Sequence, residues 1–176
     1  MFGLPKLVTV VGGKHSGKTT VIEHLLAELK SRGCHVGAIK EMVRIPTLDT
    51  PATETDRYAS AGAEIIVAVP RDETVIFIKK RLTVKEILPY VNGLEFVILE
   101  GFEGEPTVPK IIAAKTSGEV KSYMDDSAFA ISGLIMESET ECKIAEIFGV
   151  PMFKSLTEAV KLADLVLKKA LTYNGK

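Results

Sequence analysis

The sequence predicts an α/β fold in three layers, with a mostly parallel central sheet, helices on both of its faces and an antiparallel β-hairpin extension. Short β-branched or apolar runs alternate with segments of helical periodicity, which is typical of a parallel sheet. The strand-like runs 64–69 and 74–78 are only four residues apart. Because a parallel return needs a longer crossover, these two runs form an antiparallel pair. A length of 176 residues fits one domain over residues 1–176.

The N-terminal elements follow from hydrophobic periodicity and from turn residues. Residues 7–11 form a β-branched run, which predicts a buried first strand. After a glycine-rich segment, apolar residues recur at helical spacing up to Gly33, where a helix would end. The pattern then predicts a second strand over 35–39, a loop over 40–53 and a helix over 54–61.

The C-terminal elements include two helices that begin with a capping-box pattern. The first box, Thr83 to Glu86, predicts a helix that runs to about residue 90. The apolar run 95–99 predicts a central strand, and 110–114 and 128–135 are further strand candidates. The second box predicts a C-terminal helix that starts with Ser155 as its cap. Its apolar face would comprise Leu156, Ala159, Val160, Ala163, Val166, Leu167 and Ala170.

The composition gives no support to several functional classes. Lys plus Arg number 22 against 23 Asp plus Glu, a net charge of -1, so the totals give no argument for binding nucleic acid or an anionic membrane. Nowhere do eighteen apolar residues follow one another, so no membrane span is expected. The two cysteines lie far apart without metal-ligand spacing, which favours free thiols in a reducing cytoplasm.

The segment Gly12 to Thr19, called the glycine loop from here on, matches the phosphate-binding pattern G-x-x-x-x-G-K-[ST]. Glycines allow backbone conformations that a Cβ forbids, so that successive N–H groups reach phosphate oxygens. The helix that follows directs its partial positive charge to the same place. The pattern therefore predicts a P-loop nucleotide-binding protein. The expected nucleotide contacts are Gly12, Gly13, Lys14, His15, Ser16, Gly17, Lys18, Thr19 and Thr20.

Three side chains would carry the chemistry of this site. We expect Lys18 to reach the β- and γ-phosphates and the Thr19 hydroxyl to bind Mg²⁺. The apolar run before Glu100 delivers that carboxylate to the carboxyl edge of the sheet, where ligands bind in open α/β sheets. Glu100 is therefore a candidate catalytic and metal-binding residue. The alternative is that it caps the turn at Gly101.

These residues resemble those of the molybdopterin-guanine dinucleotide biosynthesis protein B (MobB) family. The P-loop occurs in many families, whereas the spacing of the other matching segments is more particular. The resemblance covers most of residues 5 to 115. Its segments are Gly17-Lys18-Thr19-Thr20, Ile39-Lys40, Glu54-Thr55-Asp56-Arg57 running into Ala61-Gly62-Ala63, and Glu100-Gly101-Phe102 followed by Pro109-Lys110-Ile111.

The resemblance implies a GTP-binding accessory protein, at most a slow Mg²⁺-dependent GTPase, for the maturation of a molybdenum or tungsten cofactor. It would be a homodimer that assists a partner nucleotidyltransferase in joining GMP to molybdopterin, with molybdoenzyme clients as further partners. Position by position, it adds Asp49 as a metal residue in a switch-like loop. It also adds Arg57 and Lys110 as nucleotide-binding residues.

Two positions depart from the family pattern, and two other functions stay open. Glu41 stands where the family usually has histidine after Ile-Lys, and Glu54 replaces the usual aspartate. The Asn/Thr-Lys-x-Asp arrangement by which many GTPases hold guanine is absent, so GTP preference is implied by the resemblance alone. The alternatives are a P-loop kinase of a small metabolite and a scaffold that nucleotide merely stabilises.

Overall fold

The computed structural model describes residues 3–42 and 53–173. The chain divides into two compact units, one formed by Met1–Glu41 with Leu88–Lys176 and the other by Met42–Ile87. No helix in the described ranges has the length and apolar character that crossing a membrane requires. The single domain over residues 1–176 stays a prediction.

The secondary structure of the described ranges follows the predicted alternation. Short 3-10 helices cover Leu88–Val91, Leu134–Glu137 and Glu146–Phe148. The strands are β1 (Lys6–Val11), β2 (Val36–Lys40), β3 (Ile65–Ala68), β4 (Val75–Ile78), β5 (Phe96–Glu100), β6 (Lys110–Ala113), β7 (Ala128–Ser132) and β8 (Leu171–Thr172). The helices are α1 (Lys18–Ser31), α2 (Glu54–Ser60), α3 (Val84–Ile87), α4 (Ser117–Tyr123), α5 (Glu139–Ala145) and α6 (Ser155–Lys169).

The first unit is built on one mostly parallel sheet in the order β2-β5-β1-β6-β7, with β8 antiparallel on β1. The register sets Lys40 beside Glu100 and Glu100 beside Val10. The carboxyl ends of β2, β5 and β1 therefore meet at one edge. Because β1 runs directly into the glycine loop, the same edge holds that loop.

Helices cover both faces of this sheet, because alternate residues of each strand point to opposite sides. Val8 and Val10 pack with α1 and α6 in one cluster of buried residues. Val11 packs on the other face with α4 and α5, through Val120 and Ala145. The predicted α/β fold with helices on both sides of a mostly parallel sheet is thus confirmed.

The second unit contains the predicted hairpin. β3 and β4 pair antiparallel, with Ile65 opposite Ile78 and Ala68 opposite Val75, as the short connection required. The predicted capping box at Thr83 is also present. The Thr83 N–H donates to Glu86 Oε2 at 2.9 Å, and the Glu86 N–H donates to Thr83 Oγ1 at 3.3 Å.

The start of α6 differs from the prediction. Lys154, and not Ser155, is the residue that precedes the helix, and Glu158 Oε2 accepts a hydrogen bond from the Lys154 N–H at 3.0 Å. The Ser155 hydroxyl instead lies 3.3 Å from His24 Nδ1. The prediction that Ser155 caps α6 was therefore wrong, because the Ser155 side chain contacts His24 of α1 instead.

The buried face of α6 also differs from the predicted face. Of the predicted face, Ala163, Val166 and Ala170 are buried, but Leu156 and Val160 are exposed. Leu162, which was not predicted, is buried. The backbone at Glu158 is not helical, with φ −123° and ψ 23°. Because of this interruption, the residues before and after Glu158 do not follow one continuous helical period. A face counted from Leu156 therefore includes residues that point to solvent at the start of the helix.

Candidate functional site

A cleft of about 460 Å³, called the edge cleft below, opens where β1, β2 and β5 end. It lies within the first unit and contains most of the residues that the sequence singled out. The edge cleft is lined by Lys14, His15, Ser16, Gly17, Lys18, Thr19, Thr20, Lys40, Glu100 and Leu134.

The conformation of the glycine loop depends on a glycine at position 12. The φ angle of Gly12 is +145°, and a Cβ added there would lie 1.9 Å from the Ala113 carbonyl oxygen at the end of β6. No side chain fits at that distance. Gly17 also has a positive φ, +94°, and immediately precedes α1. The loop thus turns tightly over the sheet edge before the helix begins.

The start of α1 supplies the positive end of a 14-residue helix to the edge cleft. Thr19 and Thr20 belong to its first turn and are exposed there. The first backbone N–H groups of a helix have no partner within the helix, and together with the helix dipole they favour an anion. The local structure therefore suits a phosphate group.

Lys18 is folded against the glycine loop. Its Nζ donates to the carbonyl oxygens of Gly12 at 2.8 Å and of Gly13 at 2.6 Å. An ammonium group has three N–H donors, so these two bonds leave a third. The cation is thus held at the mouth of the loop and lines the edge cleft.

Glu100 forms an ion pair with Lys40 across the ends of β5 and β2. Lys40 Nζ lies 2.9 Å from Glu100 Oε1, and the side chains are 50% and 14% exposed, respectively. The parallel register sets these two residues side by side. The cleft therefore has a fixed carboxylate whose partner is a half-exposed lysine.

The turn after Glu100 is held in an unusual backbone conformation by two side chains. Gly101 and Phe102 both have positive φ, +88° and +54°, and the second value is uncommon for a residue other than glycine. The Thr9 hydroxyl donates to the Gly101 carbonyl oxygen at 2.6 Å. Glu41 Oε2 accepts from the Phe102 N–H at 2.8 Å. Glu41 thus fixes the turn that presents Glu100.

The residues present fit a Mg²⁺ ion bound together with a nucleotide. The Thr19 hydroxyl and the Glu100 carboxylate supply hard oxygen donors at the same cleft. Mg²⁺ usually takes one or two carboxylates and completes its shell with substrate phosphates and water. No group of three or more His, Cys, Asp or Glu that could hold a metal by itself occurs in the described part of the chain.

The sequence also predicted Asp49, Arg57 and Lys110 as site residues. Asp49 lies outside the described residues. Arg57 is in α2, in the second unit.

Lys110 begins β6 and is buried, and its register partner is Thr9. Its Nζ is bonded to Asp125 Oδ2, and it does not line the edge cleft. Burial disfavours the charged form of Asp125. Hydrogen bonds from Lys110 and from the Ser127 hydroxyl and N–H outweigh that effect, so that the pKa of Asp125 is lowered.

Sequence reasoning missed Lys40 and Leu134 as residues of the edge cleft. The signal for Lys40 was its place at the end of a parallel strand, the same argument that selected Glu100. Leu134 follows β7, and its N–H donates to the Ser16 carbonyl oxygen at 3.1 Å. No local pattern marks that contact, since it depends on the order of strands in the sheet.

Comparison with known structures gives the same fold. The crystal structure of Bacillus subtilis MobB superposes with a TM-score of 0.72, covering 96% of this chain and 99% of that chain at 24% identity. A structure described as molybdopterin-guanine biosynthesis protein B gives a TM-score of 0.67 at 20% identity. It covers 92% of this chain and 98% of that chain. Both likenesses concern the fold.

Comparison of sequences identifies the family. A molybdopterin-guanine dinucleotide biosynthesis adapter protein of Methanocaldococcus jannaschii is 33% identical over 72% of this chain and 54% of its own length. The chain thus matches only about half of that relative. The corresponding adapter protein of Bacillus subtilis strain 168 is 27% identical over 84% of both chains. The model of the family molybdopterin guanine dinucleotide synthesis protein B (MobB) matches residues 7–137. The predicted resemblance is thereby confirmed, and the chain belongs to this family of molybdopterin guanine dinucleotide biosynthesis.

Proposed function

We propose that this protein binds GTP with Mg²⁺ in the edge cleft and acts as a nucleotide-dependent adapter in molybdopterin guanine dinucleotide biosynthesis. The observation that carries the proposal is the convergence of Lys18, Thr19 and Glu100 on one cleft at the start of α1. In this role the protein is a cytoplasmic homodimer. It assists a partner nucleotidyltransferase that attaches GMP to molybdopterin, and it serves molybdoenzyme clients.

Triphosphate binding uses the loop and Lys18. Backbone N–H groups of the glycine loop and of the first turn of α1 donate to phosphate oxygens. Lys18 exchanges its bonds to the carbonyl oxygens of Gly12 and Gly13 for bonds to the β- and γ-phosphates. These bonds are stronger because the acceptor is charged.

Metal binding uses Thr19 and Glu100. A bound Mg²⁺ would supply positive charge beside the phosphate oxygens. Lys40 and the cation compete for the Glu100 carboxylate. An ion pair with a half-exposed lysine contributes about 0–1 kcal/mol, so this pair is readily exchanged.

Slow hydrolysis is consistent with the side chains at the cleft. Among the described residues that line it, His15 and Glu100 carry the imidazole and carboxylate groups that commonly act as general bases. In this proposal Glu100 is occupied by the metal, and His15 is an exposed loop residue. The protein therefore holds GTP long enough to serve as an adapter.

Titration calorimetry of the full chain with GTP, GDP and ATP, with and without Mg²⁺, tests nucleotide binding. We expect binding of GTP that is tightened by Mg²⁺, and a preference for ATP would contradict the proposal. Glu100→Gln should reduce the Mg²⁺-dependent gain in affinity by about tenfold, the order of one charged contact. Glu103→Gln, at an exposed position outside the cleft, is the matched control.

The adapter role is tested by capture of the purified molybdopterin nucleotidyltransferase on the immobilised protein. We expect capture with GTP that is weaker with GDP. Equal capture in both states and with Lys18→Ala would favour a scaffold that nucleotide only stabilises. Transfer of labelled γ-phosphate to a metabolite would instead identify a kinase.

A further inference from the structure

A second cavity of about 230 Å³, called the side cavity below, adjoins the edge cleft in the first unit. The two share Gly17, Thr20 and Leu134 as lining residues. The start of α1 borders the side cavity, as do the segment after β7 and the start of α6. It therefore lies where the remainder of a nucleotide would extend from phosphates held by the glycine loop.

The side cavity has a fixed position relative to the glycine loop. The Leu134 N–H donates to the Ser16 carbonyl oxygen at 3.1 Å. A Cβ on the preceding residue, Gly133, would lie 2.4 Å from the same oxygen, so the two loops are in direct backbone contact. The Ser132 hydroxyl donates to the Phe153 carbonyl oxygen at 2.7 Å, which ties the segment before α6 to β7. A ligand that spans both sites thus meets preformed walls.

The walls of the side cavity suit a flat aromatic ring with a polar edge. Leu134, Met136 and Leu156 supply apolar surface, and Leu134 and Leu156 are 43% and 70% exposed. Covering them with a ring removes apolar surface from water. Glu137 and Lys154 line the same cavity and add one acceptor and one donor group of opposite charge. A nucleobase has both properties.

The pair of charged groups distinguishes guanine from adenine. Guanine presents the N1–H and N2 amino donors beside the O6 acceptor, whereas adenine presents the N1 acceptor beside the N6 amino donor. A carboxylate only accepts hydrogen bonds and an ammonium only donates them. In the ring orientation that matches guanine, adenine would place its N1 acceptor against the carboxylate and its N6 amino donor against the ammonium, and both mismatches are costly in a built site.

We propose that the side cavity is the base subsite of this protein, in which Glu137 accepts from guanine N1–H and the N2 amino group while Lys154 donates to O6. The inference rests on the proposed binding of a triphosphate in the edge cleft. It gives guanine a recognition site in a chain that lacks the Asn/Thr-Lys-x-Asp arrangement. Leu134 then contacts both the base and the phosphate side of the ligand.

The test compares ligands that differ only in the base. The full chain with Mg²⁺ is titrated with GTP, with ITP, which lacks the 2-amino group, with ATP and with inorganic tripolyphosphate, which has no base. We expect the wild type to prefer GTP over ITP by about tenfold, the order of a hydrogen bond to a charged group, and over ATP by more. Glu137→Ala should reduce the preference for GTP over ITP to about one.

Two comparisons separate the possible failures. Glu139→Ala removes a neighbouring exposed carboxylate that does not line the side cavity, and it should retain the GTP preference. Tripolyphosphate binding by Glu137→Ala shows that the variant is folded with an intact glycine loop. A retained GTP preference in that variant would overturn the base subsite alone. Failure of the wild type to bind GTP and tripolyphosphate would overturn the proposed function together with it.

Discussion

Two lysine–carboxylate pairs of the first unit have the same chemistry in different surroundings. Lys40 and Glu100 pair at the edge cleft, where the lysine is 50% exposed. Lys110 and Asp125 pair away from that cleft, where the lysine side chain is 6% exposed and the carboxylate is 46% exposed. The first pair can exchange its partner for a ligand, whereas a buried ammonium without its carboxylate is costly. A lysine–carboxylate ion pair by itself therefore does not identify a ligand-binding residue. The exposure of the lysine distinguishes a pair that can exchange its partner from one that stabilises the fold.

Replacing the loop lysine should give the largest effect on binding with little effect on stability. In the proposed complex Lys18→Ala removes the cation that faces the phosphates, and we expect GTP affinity to fall about 100-fold, roughly 2.7 kcal/mol. The free energy of unfolding should change by less than about 1 kcal/mol, since Lys18 is only partly buried. Calorimetry and urea denaturation measure the two quantities. Lys30→Ala, at an exposed position in the last turn of α1, is the control and should leave GTP affinity unchanged.

Replacing Asp125, the carboxylate that pairs with the buried Lys110, should reduce stability and leave GTP binding unchanged. Asp125→Ala leaves the Lys110 ammonium without its carboxylate, and we expect the free energy of unfolding to fall by about 1–3 kcal/mol. GTP affinity should stay the same, because neither residue lines the edge cleft. Asp126→Ala, at the exposed neighbouring position, is the matched control. A loss of GTP affinity in Asp125→Ala at full stability would return Lys110 to the nucleotide site.

The stabilisation that Asp125 provides should decrease at low pH. The pKa of Asp125 is lowered from its usual value of 3.8, so the folded state favours the ionised carboxylate. Stability from that group is present above the usual pKa and is lost as the pH falls through the folded-state value. The difference in unfolding free energy between the wild type and Asp125→Ala should therefore be constant near pH 7 and shrink below about pH 4. Urea denaturation across this range would contradict the assignment if the difference grew on acidification.

Releasing Glu100 from its lysine should give the smallest effect. Lys40→Met removes the competitor for the carboxylate, and we expect half-maximal Mg²⁺-dependent GTP binding at an about two- to fivefold lower Mg²⁺ concentration. The size follows from the weak energy of a half-exposed ion pair. Fluorescence titration with Mg²⁺ at fixed GTP measures this concentration. Lys79→Met, at an exposed position in the second unit, is the control. A higher Mg²⁺ requirement would mean that Lys40 assists the ligand directly.

Much of the fold was predictable because its main strands are short, apolar and bounded by turn residues. The strand before the glycine loop, the antiparallel hairpin and the strand before Glu100 all followed from local patterns. The helices α4 and α5 were not predicted, because the capping residues that begin them, Thr116 and Ser138, were not recognised. Thr116, whose hydroxyl accepts from the Glu119 N–H at 3.2 Å, was the available capping signal for α4.

The lining of the edge cleft was predictable where one contiguous segment supplies it, and less predictable where it depends on which strands are neighbours. The glycine loop is contiguous, and Glu100 follows from the end of a single strand. Lys40 depends on β2 lying next to β5, and Leu134 depends on the loop after β7 touching Ser16. Such neighbours are fixed by the packing of the whole sheet, which no local pattern specifies.

The close contact between the Gly12 backbone and β6 determines which substitution is suitable for a loss-of-function allele. A methyl group there would lie 1.9 Å from the Ala113 carbonyl oxygen, which belongs to the adjacent strand. An allele carrying Gly12→Ala would have to move the end of β6 away from β1, so a cell would contain less folded protein as well as an altered loop. The phenotype of this allele would combine a lower amount of folded protein with a loss of its activity. Lys18→Ala keeps that contact between strands intact, which makes it the allele that tests the proposed role of the nucleotide in the cell.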